Sequence, residues 1–381
     1  MKSLLNQCCL LLCLYLSSCS FQTNLFKEIN KNLINQNLVI SPLSAYQVLG
    51  LATNGAQEKT LEQMLLALGN KDLEELNKIN TEILKVVKQF STVEIANAIM
   101  TKSAPEKKFL MAGSRYGATV ETLRSANQVN SWCNVKTHGK IKEIIDKIDK
   151  FTKMLLLNAV YFKGEWNKGF IKTQTKKKSF YNLNDKSKEI KVDTMFKIEQ
   201  FNYYEDKELQ IVELPYKKDS MTAVIILPNE KKNINNFISE LTDEKLQNLL
   251  KRMFSHKVRL ELPKFELRFS SSLKNILEKL GMNEPFNALS ANFHGIEKKR
   301  IDYNIYISDV IQKTYLKVDE KGTEAAAVTA IITKIFPTSK RKKVIPIIYP
   351  MIVNRPFIFM LRNTKMPKNY EMLFMSKIEK L

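Results

Sequence analysis

The sequence is poor in the residue types on which most enzyme chemistry depends. It has three histidines, His138, His256 and His294. None stands in a His-Glu-x-x-His pair or beside paired cysteines, so a zinc site has no local support. Glycine numbers only 11, and no Gly-x-Ser-x-Gly elbow, phosphate-binding glycine loop or dinucleotide fingerprint occurs. A hydrolase would lack its base, and a nucleotide enzyme its cradle; an enzyme is the disfavoured class, and no cofactor or metal is called for. Of five cysteines, Cys8, Cys9, Cys13 and Cys19 fall within the first 20 residues. Only Cys133 is left for the remainder, which gives no intrachain disulfide framework and leaves stability to the core. Cys133 itself reads as a small buried hydrophobe rather than a nucleophile. No Asn-x-Ser/Thr sequon is present, so N-glycosylation is not expected. Nor does any Pro-, Gly- or Ser-rich tract divide the 381 residues, and one large domain is expected over residues 21–381.

What is present begins with the leader "MKSLLNQCCLLLCLYLSSCS". One early lysine, an apolar run from Cys8 to Leu16 and small residues after it have the layout of a signal peptide over residues 1–20, too short to span a bilayer comfortably. Cleavage is expected near Ser18 or Ser20, with a secreted, extracellular product. The segment "LSSC" also looks like a bacterial lipoprotein site, which would leave the chain lipid-anchored through Cys19.

Acidic residues are outnumbered: 39 Asp plus Glu face 60 Lys plus Arg, a formal charge of +21. Such a surplus attracts polyanions over long range. The bases are scattered, with denser runs at Lys176–Lys178, Lys298–Arg300 and Lys340–Lys343. No nucleic-acid motif accompanies them. A solvated lysine-rich surface competes with binding of heparin-like polyanions as the explanation.

Hydrophobic residues make up 44% of the chain, enough for a large core. "NLFKEINKNL" places Leu25, Phe26, Ile29 and Leu33 on one helical face. "SPLSAYQVLGLAT" reads as a buried helix entered through Ser41 and Pro42. "SLKNILEKLG" carries Leu273, Ile276, Leu277 and Leu280 on one stripe and stops at Gly281. By contrast, "KVRLELPKFEL" alternates Val258, Leu260 and Leu262 with Lys257, Arg259 and Glu261, the pattern of a sheet with one wet face. "MTAVIILP" is a short apolar run suited to a strand buried on both faces. Helices early and strands later give an α+β class.

Several segments then resemble, in family order, the serpins. These are "NLVISPLSAYQVLGLATNGAQEKTLEQML", "VNSWCNVKTHGKIKEII", "LNAVYFKGEWNKGF", "VELPYKKDSMTAVIILP", "LELPKFEL", "LGMNEPF", "ISDVIQKTYLKVDEKGTEAAA" and "NRPFIFMLRN". The resemblance implies helices packed around a large mixed five-stranded sheet plus two smaller sheets, with an exposed reactive-centre loop at about residues 320–346. It implies a suicide-substrate inhibitor. A protease forms an acyl-enzyme at the loop, the cleaved loop inserts into the main sheet as a new strand, and the enzyme is distorted before water can release it.

The hinge implied by the resemblance comprises Glu320, Gly322, Thr323, Glu324, Ala325, Ala326, Ala327, Val328 and Thr329. An inserting strand loses every second side chain into the interior. Here the inward set is Thr323, Ala325, Ala327, Thr329, Ile331 and Thr333, none charged. Glu324 falls on the outward face, and Gly322 supplies freedom at the turn. An alanine run would otherwise favour helix, but "AVTAIIT" brings β-branched residues straight after it.

The resemblance also implies a shutter, where the sheet parts, at Ser41, Ser44, Asn158 and Gln312, and a breach at Trp166. Gln312 stands where the family usually has histidine. It can donate and accept, but it cannot become a cation near neutral pH. Counting from Glu320 by the family's usual spacing puts the reactive bond at Phe336-Pro337, which fits a chymotrypsin-like or cathepsin G-like serine protease. Proline after the cut is a poor substrate for most such enzymes, so Ile335-Phe336 is an alternative. The basic block at Lys340 and Arg341 would suit trypsin-like or furin-like enzymes. Moving the cut from Phe336 to Arg341 adds five residues of slack, at about 3.3 Å each, and favours substrate behaviour. The protein is expected to act as a monomer. Rival expectations are a non-inhibitory binding or carrier protein and a cross-class inhibitor of cysteine proteases.

Overall fold

Ser41 accepts a hydrogen bond from the Ser44 amide and Pro42 fills the first turn, so a helix starts at once. In the computed structural model, which describes residues 19–297, 304–322 and 347–381, every residue of that helix is buried. Around it lie α1 (Phe21–Lys31), α2 (Pro42–Thr53, the buried helix), α3 (Glu58–Leu68), α4 (Leu73–Val87), α5 (Lys107–Arg115), α6 (Ala126–Lys136), α7 (Ile234–Ser239), α8 (Asp243–Lys251) and α9 (Lys274–Lys279). Helix α1 buries Leu25, Phe26 and Ile29 but ends at Lys31. Leu33, expected on the same face, packs from beyond the helix end. Two residues of the expected leader belong to this fold. Cys19 is buried, and Ser20 caps α1 while its hydroxyl bonds Asp243 at 2.9 Å.

The strands are β1 (Leu38–Ile40), β2 (Val93–Thr101), β3 (Thr119–Thr122), β4 (Met154–Phe162), β5 (Lys176–Tyr181), β6 (Glu189–Glu205) and β7 (Leu209–Pro215), followed by β8 (Met221–Pro228), β9 (Phe254–Pro263), β10 (Phe265–Ser272), β11 (Ile307–Val318), β12 (Tyr349–Ile352), β13 (Phe357–Asn363) and β14 (Met372–Ile378). Five form one mixed sheet in the order β10-β11-β4-β2-β3, as expected. The two smaller sheets are not separate among the described residues. They run together as a nine-stranded path, β1-β14-β13-β8-β7-β6-β9-β12, with β5 beside β6. The cause is the 17-residue strand β6. One edge pairs β9, while β5 and β7 take the two ends of the other, so hydrogen bonding continues where a break was expected.

Strand β4 explains where the core sits. All nine residues of "MLLLNAVYF" are buried, and their alternation serves two cores. Leu156, Val160 and Phe162 join the main core around α2. Leu155, Leu157, Ala159 and Tyr161 join a second cluster with Val129 and Cys133 of α6 and with Ile141, Ile144 and Ile145. The five-stranded sheet is therefore covered on both faces, by α2 behind and by α6 and residues 137–153 in front. Burial pushes the Cys133 thiol up to about 12, which removes its thiolate at neutral pH.

Candidate functional site

β11 and β4 are adjacent and parallel, and their register sets Gln312 directly against Asn158. Asn158 is the one amide in an otherwise apolar strand, so its polar atoms must find partners or cost about 1–3 kcal/mol. Its Nδ2 donates to Asn97 Oδ1 at 2.5 Å and to Ser44 Oγ, and its Oδ1 accepts from Gln312 Nε2 at 2.5 Å. Gln312 turns both ends of its amide to Ser41, the N-cap of the buried helix. Ser41 N donates to Gln312 Oε1 and Gln312 Nε2 donates to Ser41 O, each at 2.9 Å. Ser44 Oγ completes the ring by donating to Asn97 Oδ1 at 3.2 Å. Ser41, Ser44, Asn158 and Gln312 are fully buried. The four expected shutter residues thus form one network that ties β2, β4, β11 and α2 together. Sequence reasoning missed Asn97. Its signal was the same as that of Asn158, a single amide inside an apolar run, "EIANAIM".

At the upper end of β11 the chain turns through residues 319–322 and is held by the segment after β4. Trp166 is 2% exposed. It stacks on Tyr216 with ring centroids 4.3 Å apart, and its Nε1 donates to Asp319 O at 2.9 Å. Its backbone N donates to Lys321 O at 2.9 Å, and Phe170 N donates to Glu320 O at 2.7 Å. The Glu320 carboxylate accepts from Thr175 Oγ1 at 2.8 Å and pairs with Lys264 Nζ at 3.0 Å. Burial works to raise this carboxyl, but backbone, Thr175 and Lys264 hydrogen bonds with the lysine charge outweigh it and hold it below the ordinary glutamate value. Gly322 is obligatory. Its φ is +137°, and a Cβ there would collide with Gly164 O and come within 2.7 Å of Glu165 Cα.

The structure therefore brings Trp166, Glu320 and Gly322 into one anchor and the shutter residues into another. Both lie along the β4–β11 seam. The rest of the expected hinge, Thr323, Glu324, Ala325, Ala326, Ala327, Val328 and Thr329, lies outside the described residues. So do the candidate reactive bonds at Ile335, Phe336 and Pro337 and the basic pair Lys340 and Arg341.

Comparison with known proteins bears on this geometry. Residues 16–381 match the family model Serpin, serine protease inhibitor. Iripin-2 of Ixodes ricinus is 32% identical over 367 residues, covering 91% of this chain and 88% of that protein. A leukocyte elastase inhibitor of Xenopus laevis is 31% identical, covering 91% and 95%. Among solved structures, the thermophilic serpin tengpin in its native state superposes with a TM-score of 0.83 at 32% identity, covering 95% of this chain and 92% of that one. With the sheet order, the seam and both anchors in place, the chain belongs to the serpin family.

Proposed function

We propose that the protein is a suicide-substrate inhibitor of a serine protease, and that its cleaved loop inserts between β4 and β11. The observation that carries this reading is the seam itself. Two parallel strands are adjacent along their length, yet they are tied by a compact polar network and topped by a hinge base anchored through Trp166 and Glu320. The inward hinge residues from Thr323 to Thr333 are uncharged, so a strand made from them would present no unpaired charge to the main core behind the seam. Phe336-Pro337 is the first candidate bond, Ile335-Phe336 the second, and a chymotrypsin-like or cathepsin G-like enzyme the favoured target. The leader supports export of the chain. The block Lys340–Lys343 is a contact for heparin-like polyanions.

The test is to incubate the protein with chymotrypsin, cathepsin G, elastase, trypsin and furin, then to run denaturing gels and locate the cut by mass spectrometry. A covalent complex with a released peptide beginning at Phe336 or Pro337 is expected. Cleavage within Lys340–Lys343 with no complex would sink the inhibitory reading. The Phe336-Pro337 pair, an awkward bond for most serine proteases, specifically favours a non-inhibitory carrier as the second reading.

A further inference from the structure

The segment after α6 crosses the front of the five-stranded sheet without joining a helix or a ladder. It is strapped down by side chains that reach its backbone. Arg268 Nη1 on β10 donates to Lys140 O at 3.2 Å, and Lys313 Nζ on β11 donates to Glu143 O at 2.6 Å. Between strap and strands lies a cavity of about 740 Å³, lined by Lys140, Lys142 and Glu143 from the strap and by Arg268, Lys313 and Tyr315 from the strands. Its size is that of an ordinary ligand site.

The cavity stands over β10 and β11, beside the seam, while the same strap clusters Ile141, Ile144 and Ile145 with Leu155 and Leu157 of β4. Tyr161 of β4 and Tyr315 of β11 are register partners with ring centroids 5.7 Å apart. The Lys140 ammonium lies 5.9 Å from both centroids, and the Arg268 guanidinium lies 4.8 Å from that of Tyr315. Four bases thus converge. Two carboxylates oppose them: Glu143 in the lining, and Glu266, which pairs with Arg268 at 2.9 Å. Four bases less two acids leaves a local charge of +2. Lys142 is exposed and has no carboxylate within salt-bridge distance among the described residues. Cations clustered over aromatic rings, with a planar guanidinium among them, suit a ligand carrying several oxyanions.

We propose that this cavity binds a small sugar bearing several sulfate or phosphate groups, and that the ligand staples the strap across the β4–β11 seam. A ligand bridging Lys142 of the strap to Arg268 on β10 and Lys313 on β11 fixes the strap to the β11 side while its isoleucines stay packed with β4, so the strap must be freed before a new strand passes between β4 and β11. Occupancy therefore slows insertion. The binding claim stands apart from the inhibitory reading, whereas the effect on insertion rests on it.

The experiment is calorimetric titration of the full chain with sucrose octasulfate and with inositol hexakisphosphate, the tighter probe identifying the oxyanion. Saturable binding is expected, weakened at least tenfold in the double variant Lys142→Gln, Arg268→Gln and retained when Lys340, Arg341, Lys342 and Lys343 are all changed to Gln. Lys142→Gln alone disturbs no hydrogen bond of the described fold, and weakening of a few-fold is expected from it even if Arg268→Gln loosens the strap. No binding, equal binding in both cavity variants, or loss only in the loop variant would overturn the site. With a protease that forms the covalent complex, saturating ligand should raise the number of inhibitor chains cleaved per protease trapped. Binding without any change in that ratio would overturn the staple.

Discussion

Gln312 serves both backbone groups of Ser41 and one side-chain oxygen of Asn158, so its loss is costlier than its size implies. Gln312→Ala leaves the Ser41 amide and Asn158 Oδ1 without that partner in a fully buried place, while the Ser41 carbonyl keeps the Ala45 amide at 3.1 Å. At about 1–3 kcal/mol per unsatisfied group, a loss of roughly 2 kcal/mol or more is expected, read as a lower urea midpoint at unchanged slope. Glu320 makes a prediction in pH. Its folded carboxyl is held below the ordinary value, so the unfolded state binds the proton first as pH falls. The anchor's contribution is present in full above the unfolded value of about 4.3 and is lost as pH falls through the folded value. Melting the protein and Glu320→Gln from pH 7 to 3 should show the native chain more stable at neutral pH and the gap closing in acid; a constant gap would refute the anchor. At this scale Asn158 and Gln312 were legible through the family resemblance, whereas Asn97, with the same local signal as Asn158, was not. The site was hidden where the partner came from distant chain, as with Thr175 and Lys264 around Glu320.

Strands whose alternation matches a local face were legible. Val258, Leu260 and Leu262 are buried as the period of two requires, but Glu261 on the expected wet face is buried too, held by Lys178 and Arg259 at 2.7 Å each. The single run "KVRLELPKFEL" is in fact two strands, because Pro263 and Lys264 carry the chain from the nine-stranded sheet to the five-stranded one. The strap shows the opposite case. Ile141, Ile144, Ile145 and Ile148 are spaced as on a helix, yet Asn130 of α6 accepts from the amides of Ile144 and Ile145 and donates to the Ile145 carbonyl. Tertiary bonds replace the helix's own. Insertion of the proposed hinge strand would admit no charge on its inward face. Ala327→Arg should leave the native fold intact and the loop cleavable, while shifting the outcome from covalent complex to cleaved chain by tenfold or more. A buried unpaired guanidinium costs several kcal/mol, and about 1.4 kcal/mol is a factor of ten. Persistence of the complex at the native ratio would show that insertion does not pass through this strand.

For the molecule as a whole, the question is which state is the most stable. The five-stranded sheet is closed by a seam whose centre is polar and whose two strands bury side chains on both faces, so a sixth strand with uncharged inward residues adds ladder bonds and apolar burial at once. The β4–β11 ladder and the Gln312–Asn158 bond would be given up, but two ladders would replace one. On the proposed inhibitory reading, the intact chain would be held from its lowest state by covalent continuity, with the anchor at Glu320 and Trp166 and the shutter at Gln312 as local catches. Cutting the loop after Thr333 should therefore raise the melting temperature by roughly 10 °C or more, since about 1 kcal/mol moves the midpoint of a large domain by about 2–4 °C. The check is calorimetry on intact and nicked protein, with both fragments confirmed by mass. A nicked chain that melts at or below the intact one would mean that the loop does not enter the seam, and would leave the fold serving a binding role instead.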